Sequence, residues 1–92
     1  MTSPHPSPPD ARLGPAETSV LRVLVERAGK VTGRHDLNRL AGLDGSDRRC
    51  DAALVLVRRA LGAGAIVTVR RRGWMLRKES SDAARALLDS LS

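Results

Sequence analysis

The chain contains no phenylalanine and no tyrosine, and its one tryptophan is Trp74. A folded core must therefore be built from leucine, valine, isoleucine and alanine. These are numerous enough, because 41% of the 92 residues are apolar. A chain of this length allows one small domain.

Cysteine and long apolar runs are also scarce. The single cysteine, Cys50, excludes an internal disulfide and a metal site made of several cysteines. No apolar run approaches the ~18 to 20 residues of a membrane-spanning helix, and no signal peptide is recognisable. We therefore expect a soluble, cytoplasmic protein with no membrane partner.

The sequence offers little for catalysis. His5 lies in a proline-rich beginning, His35 is expected on an exposed helical turn, and Cys50 is expected to face the core. No nucleophile, base and orienting group, and no set of metal ligands, occur at usable spacing. Residues 62–65 lack the Lys-Ser/Thr of a phosphate-binding loop. We therefore expect that the protein is not an enzyme and that it binds no cofactor and no metal.

Arginine is abundant and unevenly placed. The net charge is +6, and only two of the sixteen basic residues are lysines. From Arg48 to Lys78 there are nine basic residues and one acidic residue, Asp51, a net +8; the remainder has seven basic and nine acidic residues, a net −2. A concentrated positive charge favours a phosphate-rich partner or an anionic surface, although a GC-rich genome also enriches arginine.

Turn residues and apolar periodicity divide the first half of the chain. Residues 1–12 hold four of the five prolines and predict a disordered tail. Pro15 and Gly29 suit the start and stop of a first helix, about 15 to 28. Val31-Thr32 predicts a short extended piece, and a second helix follows from Arg34 to about Ala41.

The second half predicts a helix, a basic hairpin and a last helix. Residues 44–47 form a turn that caps a third helix, 48 to 61, whose apolar face is made by Cys50, Leu54, Val57 and Leu61. Two β-rich runs, 66–69 and 74–76, are joined by a turn with three arginines. Ser80 or Ser81 caps a last helix, 82 to 91, with its own apolar stripe of Ala84, Leu87, Leu88 and Leu91.

This order of elements predicts an α+β, mainly α fold: a winged helix-turn-helix, with a three-helix core and a C-terminal β-hairpin wing, plus an extra C-terminal helix. Residues 13–78 would form the winged domain, and residues 79–92 the additional amphipathic helix. Three arginines crowded on a turn repel one another, and an anionic partner converts that repulsion into attraction.

Four spaced motifs over residues 13 to 77 carry a resemblance. They are Leu13-Gly14-Pro15-Ala16-Glu17, Gly29-Lys30-Val31-Thr32-Gly33-Arg34-His35-Asp36-Leu37, Arg48-Arg49-Cys50-Asp51 through Val57-Arg58-Arg59-Ala60-Leu61, and Thr68-Val69-Arg70-Arg71-Arg72-Gly73-Trp74. They resemble, in order, the L-T-P-x-E, G-x-V-V-S-R-E-E-L, R-T-V-D-x-x-I-x-x-L-R-x-x-L and T-V-R-G-x-G-Y motifs of OmpR/PhoB-type effector domains, the DNA-binding half of many bacterial response regulators. The resemblance implies a third helix in the major groove and a wing arginine in the adjacent minor groove.

The chain also departs from that family. The proline-rich tail stands where the family has short strands and usually a receiver domain, so control by receiver phosphorylation is not expected. Ala52, Val55 and Leu56 stand where family members carry polar side chains on the outward face of the recognition helix. The outward face of the third helix therefore has few side chains that could form hydrogen bonds to base edges.

The candidate DNA-binding residues lie on the third helix and the wing: Arg48, Arg49, Ala52, Leu56, Arg58, Arg59, Thr68, Arg70, Arg71 and Arg72. We expect the wing arginines to enter a minor groove, where the negative potential attracts them. We expect the helix arginines to contact phosphates, and Arg49 to contact the edge of a base. Thr68 matches a family position that contacts the DNA backbone, or is an ordinary strand threonine. Trp74 is expected to pack against the core.

Two functions follow as hypotheses. The first is sequence-specific or semi-specific binding of double-stranded DNA by a small, nucleoid-associated transcriptional regulator, assisted by a homodimer, a tandem array or a partner. The second is a protein-interaction module that turns the Val55/Leu56 surface toward RNA polymerase, a sigma factor or another regulator. The Val55-Leu56 surface could contact thymine methyl groups, or it could be covered by another protein or by the C-terminal helix of the same chain. We favour the protein contact, because adjacent exposed valine and leucine cost solubility.

Overall fold

The first helix begins at the proline that the sequence places at its first position. In the computed structural model, which describes residues 13–43, 47–62 and 64–91, α1 spans Pro15–Glu26. It ends two residues before the predicted position 28. There the Ala28 amide bonds to the Val25 carbonyl, three residues back, at 3.2 Å, which tightens the turn out of α-helical geometry.

The next two helices lie where periodicity predicts them. Helix α2 spans Arg34–Ala41 and ends at Gly42, whose φ of 75° is the left-handed conformation that commonly closes a helix. Helix α3 spans Asp47–Leu61. Its predicted core face is confirmed: Cys50 and Val57 are fully buried and Leu54 is 5% exposed. The predicted tail, 1–12, and the turn at 44–46 lie outside the described residues.

The predicted hairpin is present and gains a third paired segment. Strands β1 (Ile66–Val69) and β2 (Gly73–Leu76) are antiparallel, with Val69 opposite Gly73. Thr32, in the short extended piece between α1 and α2, exchanges both backbone hydrogen bonds with Trp74, at 2.8 and 2.9 Å. The outer edge of β2 is therefore held by the segment that leads into α2.

Gly73 is required at this junction. Its φ is 139°, and a Cβ added there would collide with the Thr32 carbonyl group and come within 2.7 Å of the Gly33 Cα. Every other residue type would push the hairpin away from the 32–33 segment. The close approach fixes where the hairpin sits.

A last helix, α4 (Ser81–Leu91), follows a 3-10 turn at Lys78–Ser80 and packs against α1. Ala84 of α4 is fully buried, and the rest of its apolar stripe is partly buried against the same core: Leu87, Leu88 and Leu91. The described residues thus form an α+β, mainly α fold of four helices and one two-stranded antiparallel sheet. Within them, no helix has the length and apolar character needed to cross a membrane.

Candidate nucleic-acid interface

The outward side of α3 carries a basic ridge. At 100° per residue, the positions opposite Cys50 and Val57 are Arg48, Ala52, Val55 and Arg59. All four are exposed, and Val55 is 49% exposed. We call this set the outer ridge. An arginine stands near each end, with two uncharged side chains between them.

Three candidate residues of α3 lie away from the outer ridge: Arg49, Leu56 and Arg58. Leu56 is half-buried, so Val55 does not form an exposed apolar pair with Leu56. Arg49 lines a surface groove of about 390 Å³ with Pro15 and Ala16 of α1 and with residues 41–43 at the end of α2. No hairpin residue lines that groove, so Arg49 is not part of the groove beside the hairpin.

Arg70, Arg71 and Arg72 form the turn between the two strands, and we call them the arginine turn. All three are exposed. The Arg72 amide donates to the Val69 carbonyl at 2.9 Å, and Arg71 has a φ of 66°. A positive φ at the third residue of such a turn is normally supplied by glycine. Within the described part of the chain, none of the three guanidinium groups forms an ion pair.

Arg58 joins α3 to the hairpin. Its Nη2 donates a hydrogen bond to Thr68 Oγ1 of β1 at 2.7 Å. Arg58 is half-buried and Thr68 is exposed. Both were candidates for contacts to DNA phosphates, and the structure shows that they bond to each other. This bond places the basic side of α3 beside the strand that leads into the arginine turn.

A second contact to the hairpin involves Arg34, the first residue of α2. Its guanidinium carbon lies 5.3 Å from the centroid of the Trp74 ring, and its Nη2 lies 3.1 Å from Asp51 Oδ1 on α3. Trp74 is half-buried and packs against the core, as predicted. Sequence reasoning missed both Arg34 and Asp51. One signal was present, since Asp51 is the only acidic residue from Arg48 to Lys78.

These residues surround an open groove beside the arginine turn. It has a volume of about 270 Å³ and is lined by Arg34, Thr68, Val69, Arg71, Arg72, Gly73 and Trp74. The exposed guanidinium groups of Arg71 and Arg72 at this groove can take up anionic oxygens, whereas that of Arg34 is paired with Asp51. In the described residues, no three His, Cys, Asp or Glu side chains lie together as a metal site would require.

Comparison of the chain with protein-family models, with curated proteins and with solved structures gave no match.

Proposed function

We propose that this chain is a winged helix-turn-helix protein that binds double-stranded DNA as a small transcriptional regulator. One observation carries the proposal: α3, with its exposed outer ridge, is linked through the Arg58–Thr68 bond to the strand that leads into the exposed arginine turn. Isolated arginines are common on protein surfaces. Two such clusters joined in one rigid unit are what a phosphate-lined duplex requires.

The arrangement of elements supports the winged-helix interpretation. Helices α1, α2 and α3 precede a hairpin whose second strand also pairs with the segment between α1 and α2. In the OmpR/PhoB-type effector domains that the sequence resembles, the third helix enters the major groove and a wing arginine enters the adjacent minor groove. An α-helix with its side chains is about 10–12 Å across, which matches a major groove about 12 Å wide, and the 15 residues of α3 make it about 22 Å long.

The outer ridge and the arginine turn would contact different parts of the DNA. Arg48 and Arg59, near the ends of the outer ridge, hold phosphates and set the register of the helix. The arginine turn enters the minor groove, where the negative potential attracts guanidinium groups. Ala52 and Val55 offer only apolar contact, which suits thymine methyl groups. We therefore expect semi-specific binding by a single copy, and higher specificity from a homodimer, a tandem array or a partner on the same promoter.

The test is a titration of random-sequence duplex DNA at low salt, followed by mobility shift and by Trp74 emission. A variant with Arg70, Arg71 and Arg72 changed to alanine should bind about tenfold or more weakly than the wild type. The matched control changes three exposed basic residues elsewhere, Arg22, Lys30 and Arg85, and so has the same net charge. The proposal fails if the wild type shifts no duplex at low salt, or if both triple variants lose the same affinity.

The exposure of Val55 favours a second candidate, a protein-interaction module. Val55 lies at a shallow surface depression of about 390 Å³ with Arg58, Arg59 and Gly62. RNA polymerase, a sigma factor or another regulator would be the partner. Val55→Asp compared with Arg71→Ala separates the two functions. Loss of a protein partner in the first variant, with DNA binding intact, would favour the interaction module.

A further inference from the structure

We propose that Arg34 is a positioning residue of the DNA interface. Asp51 on α3 and the Trp74 ring on β2 hold its guanidinium group, and the group held in this way fixes the hairpin relative to the recognition helix. The proposal rests on the DNA binding proposed above. The proposal gives a role to Asp51, the one acidic residue in the basic segment from Arg48 to Lys78. Direct contact with DNA does not explain a carboxylate at this position.

The geometry joins three elements through one side chain. Arg34 stands at the start of α2, and its Nη2 lies 3.1 Å from Oδ1 and 3.5 Å from Oδ2 of Asp51. The same guanidinium group lies 5.3 Å from the centroid of the Trp74 ring, a distance at which the ring face attracts a cation. Arg34 therefore bridges α2, α3 and β2, whereas the Arg39–Asp36 pair joins two side chains of α2.

Side chains, and not backbone hydrogen bonds, join the exposed side of α3 to the hairpin. The Thr32–Trp74 hydrogen bonds attach the hairpin to the segment before α2, not to α3. On the exposed side of the molecule, α3 meets the hairpin through Arg58–Thr68 and through Asp51–Arg34–Trp74. A binding surface made of a helix and a hairpin requires a fixed angle between them, and a surface ordered in advance has less entropy to lose on binding.

Charge and positioning predict opposite effects for Asp51. Its side chain is 51% exposed and lies in the basic segment, where a carboxylate repels approaching phosphates. If Asp51 acted through charge alone, its removal would strengthen DNA binding. If Asp51 holds Arg34 in place, its removal weakens DNA binding despite the gain of one positive charge.

The experiment compares Asp51→Asn with Asp36→Asn in the full chain. Asp36 is a matched control because it is 52% exposed and is paired with Arg39 at 3.3 Å within α2, so it links no two elements. Random-sequence duplex DNA is titrated at one fixed low salt concentration. We expect Asp51→Asn to bind about three- to tenfold more weakly than the wild type, and Asp36→Asn to bind equally or more tightly. Unchanged or tighter binding by Asp51→Asn overturns the proposal.

A salt series with Arg34→Gln tests whether Arg34 instead contacts DNA. Loss of one phosphate contact lowers the magnitude of the slope of log K against log salt by about 0.9. A positioning residue lowers the affinity at every salt concentration and leaves that slope as in the wild type. We expect the second result, with partial recovery of affinity in Arg34→Lys. A slope reduced by about 0.9 would make Arg34 a direct contact and overturn the proposal.

A measurement without DNA separates this proposal from the proposed function. Acrylamide quenching of Trp74 emission reports access to the ring. Asp51→Asn should increase quenching, because the guanidinium group no longer stays on the ring, and Asp36→Asn should not. If the wild type binds no DNA, the proposed function fails and quenching still decides whether Asp51 holds Arg34. Equal quenching in both variants overturns the positioning role.

Discussion

Arg71 occupies a backbone conformation that suits glycine better. Its φ of 66° costs a residue with a side chain on the order of 1 kcal/mol relative to the ordinary regions. Glycine would meet the same geometry without that cost. The arginine turn therefore places a charge at its centre at the expense of stability, as expected where a side chain serves binding.

Arg71→Gly should accordingly separate stability from binding. We expect the free energy of unfolding in urea to rise by up to about 1 kcal/mol, and the affinity for duplex DNA to fall because a guanidinium group is lost. Arg70→Gly is the control: it removes the same charge, but Arg70 has no positive φ, so the added chain entropy lowers stability by about 0.5 to 1 kcal/mol. A loss of stability in both variants would contradict this account of the turn.

Single residues differ in how far the sequence predicts them. The buried face of α3 follows from helical spacing, and Cys50, Leu54 and Val57 are where that spacing puts them. The Arg34–Asp51 pair joins residues 17 positions apart and depends on how α2 packs beside α3, which no local pattern encodes. Leu56 is half-buried because a flank position on a helix can be covered by neighbours that periodicity does not reveal.

At the scale of elements, boundaries follow the residues that punctuate the chain. Pro15 begins α1, Gly42 ends α2, and the two β-rich runs pair with Gly73 at the turn. The 3-10 turn at Lys78–Ser80 has no such signal and was not predicted. The fourth helix was predicted, but its packing against α1 was not, since an apolar stripe does not indicate what covers it.

The docking of α4 on α1 depends on a small side chain. Ala84 is fully buried, whereas its neighbour Ala83 is exposed. Ala84→Leu should lower the free energy of unfolding by about 1 to 3 kcal/mol, because the added volume has no space in the helix interface. Ala83→Leu adds the same atoms in solvent and should change stability by less than about 0.5 kcal/mol. Equal urea midpoints for the two variants would show that α4 does not dock through Ala84.

For the whole molecule, the division of charge predicts how binding responds to salt. The segment from Arg48 to Lys78 carries +8 and the remainder −2, so the positive charge that attracts a polyanion is concentrated in α3 and the hairpin. The outer ridge and the arginine turn together supply five arginines: Arg48, Arg59, Arg70, Arg71 and Arg72.

If each of these neutralises one phosphate, the slope of log K against log salt is about −4.5. Fluorescence titrations at four or five salt concentrations measure it directly. The outer-ridge variant Arg48→Ala/Arg59→Ala should give a slope about two units shallower, near −2.7. A wild-type slope shallower than about −2 would mean that most of these arginines stay off the DNA.

The order of the elements and the position of the basic surface could be predicted from the sequence, because both arise from local composition. The angle between α3 and the hairpin could not, since it depends on contacts between residues far apart in the chain, such as Thr32 with Trp74. That angle determines whether the two arginine clusters can engage one duplex together.

The Thr32–Trp74 pairing also divides the hairpin into two parts with different freedom to change. Its base is locked in register by backbone bonds and by the close approach at Gly73. Its tip, residues 70–72, lies beyond that lock and is exposed. We therefore expect that loops of other lengths and charges can be grafted between Val69 and Gly73 while the rest of the fold stays intact.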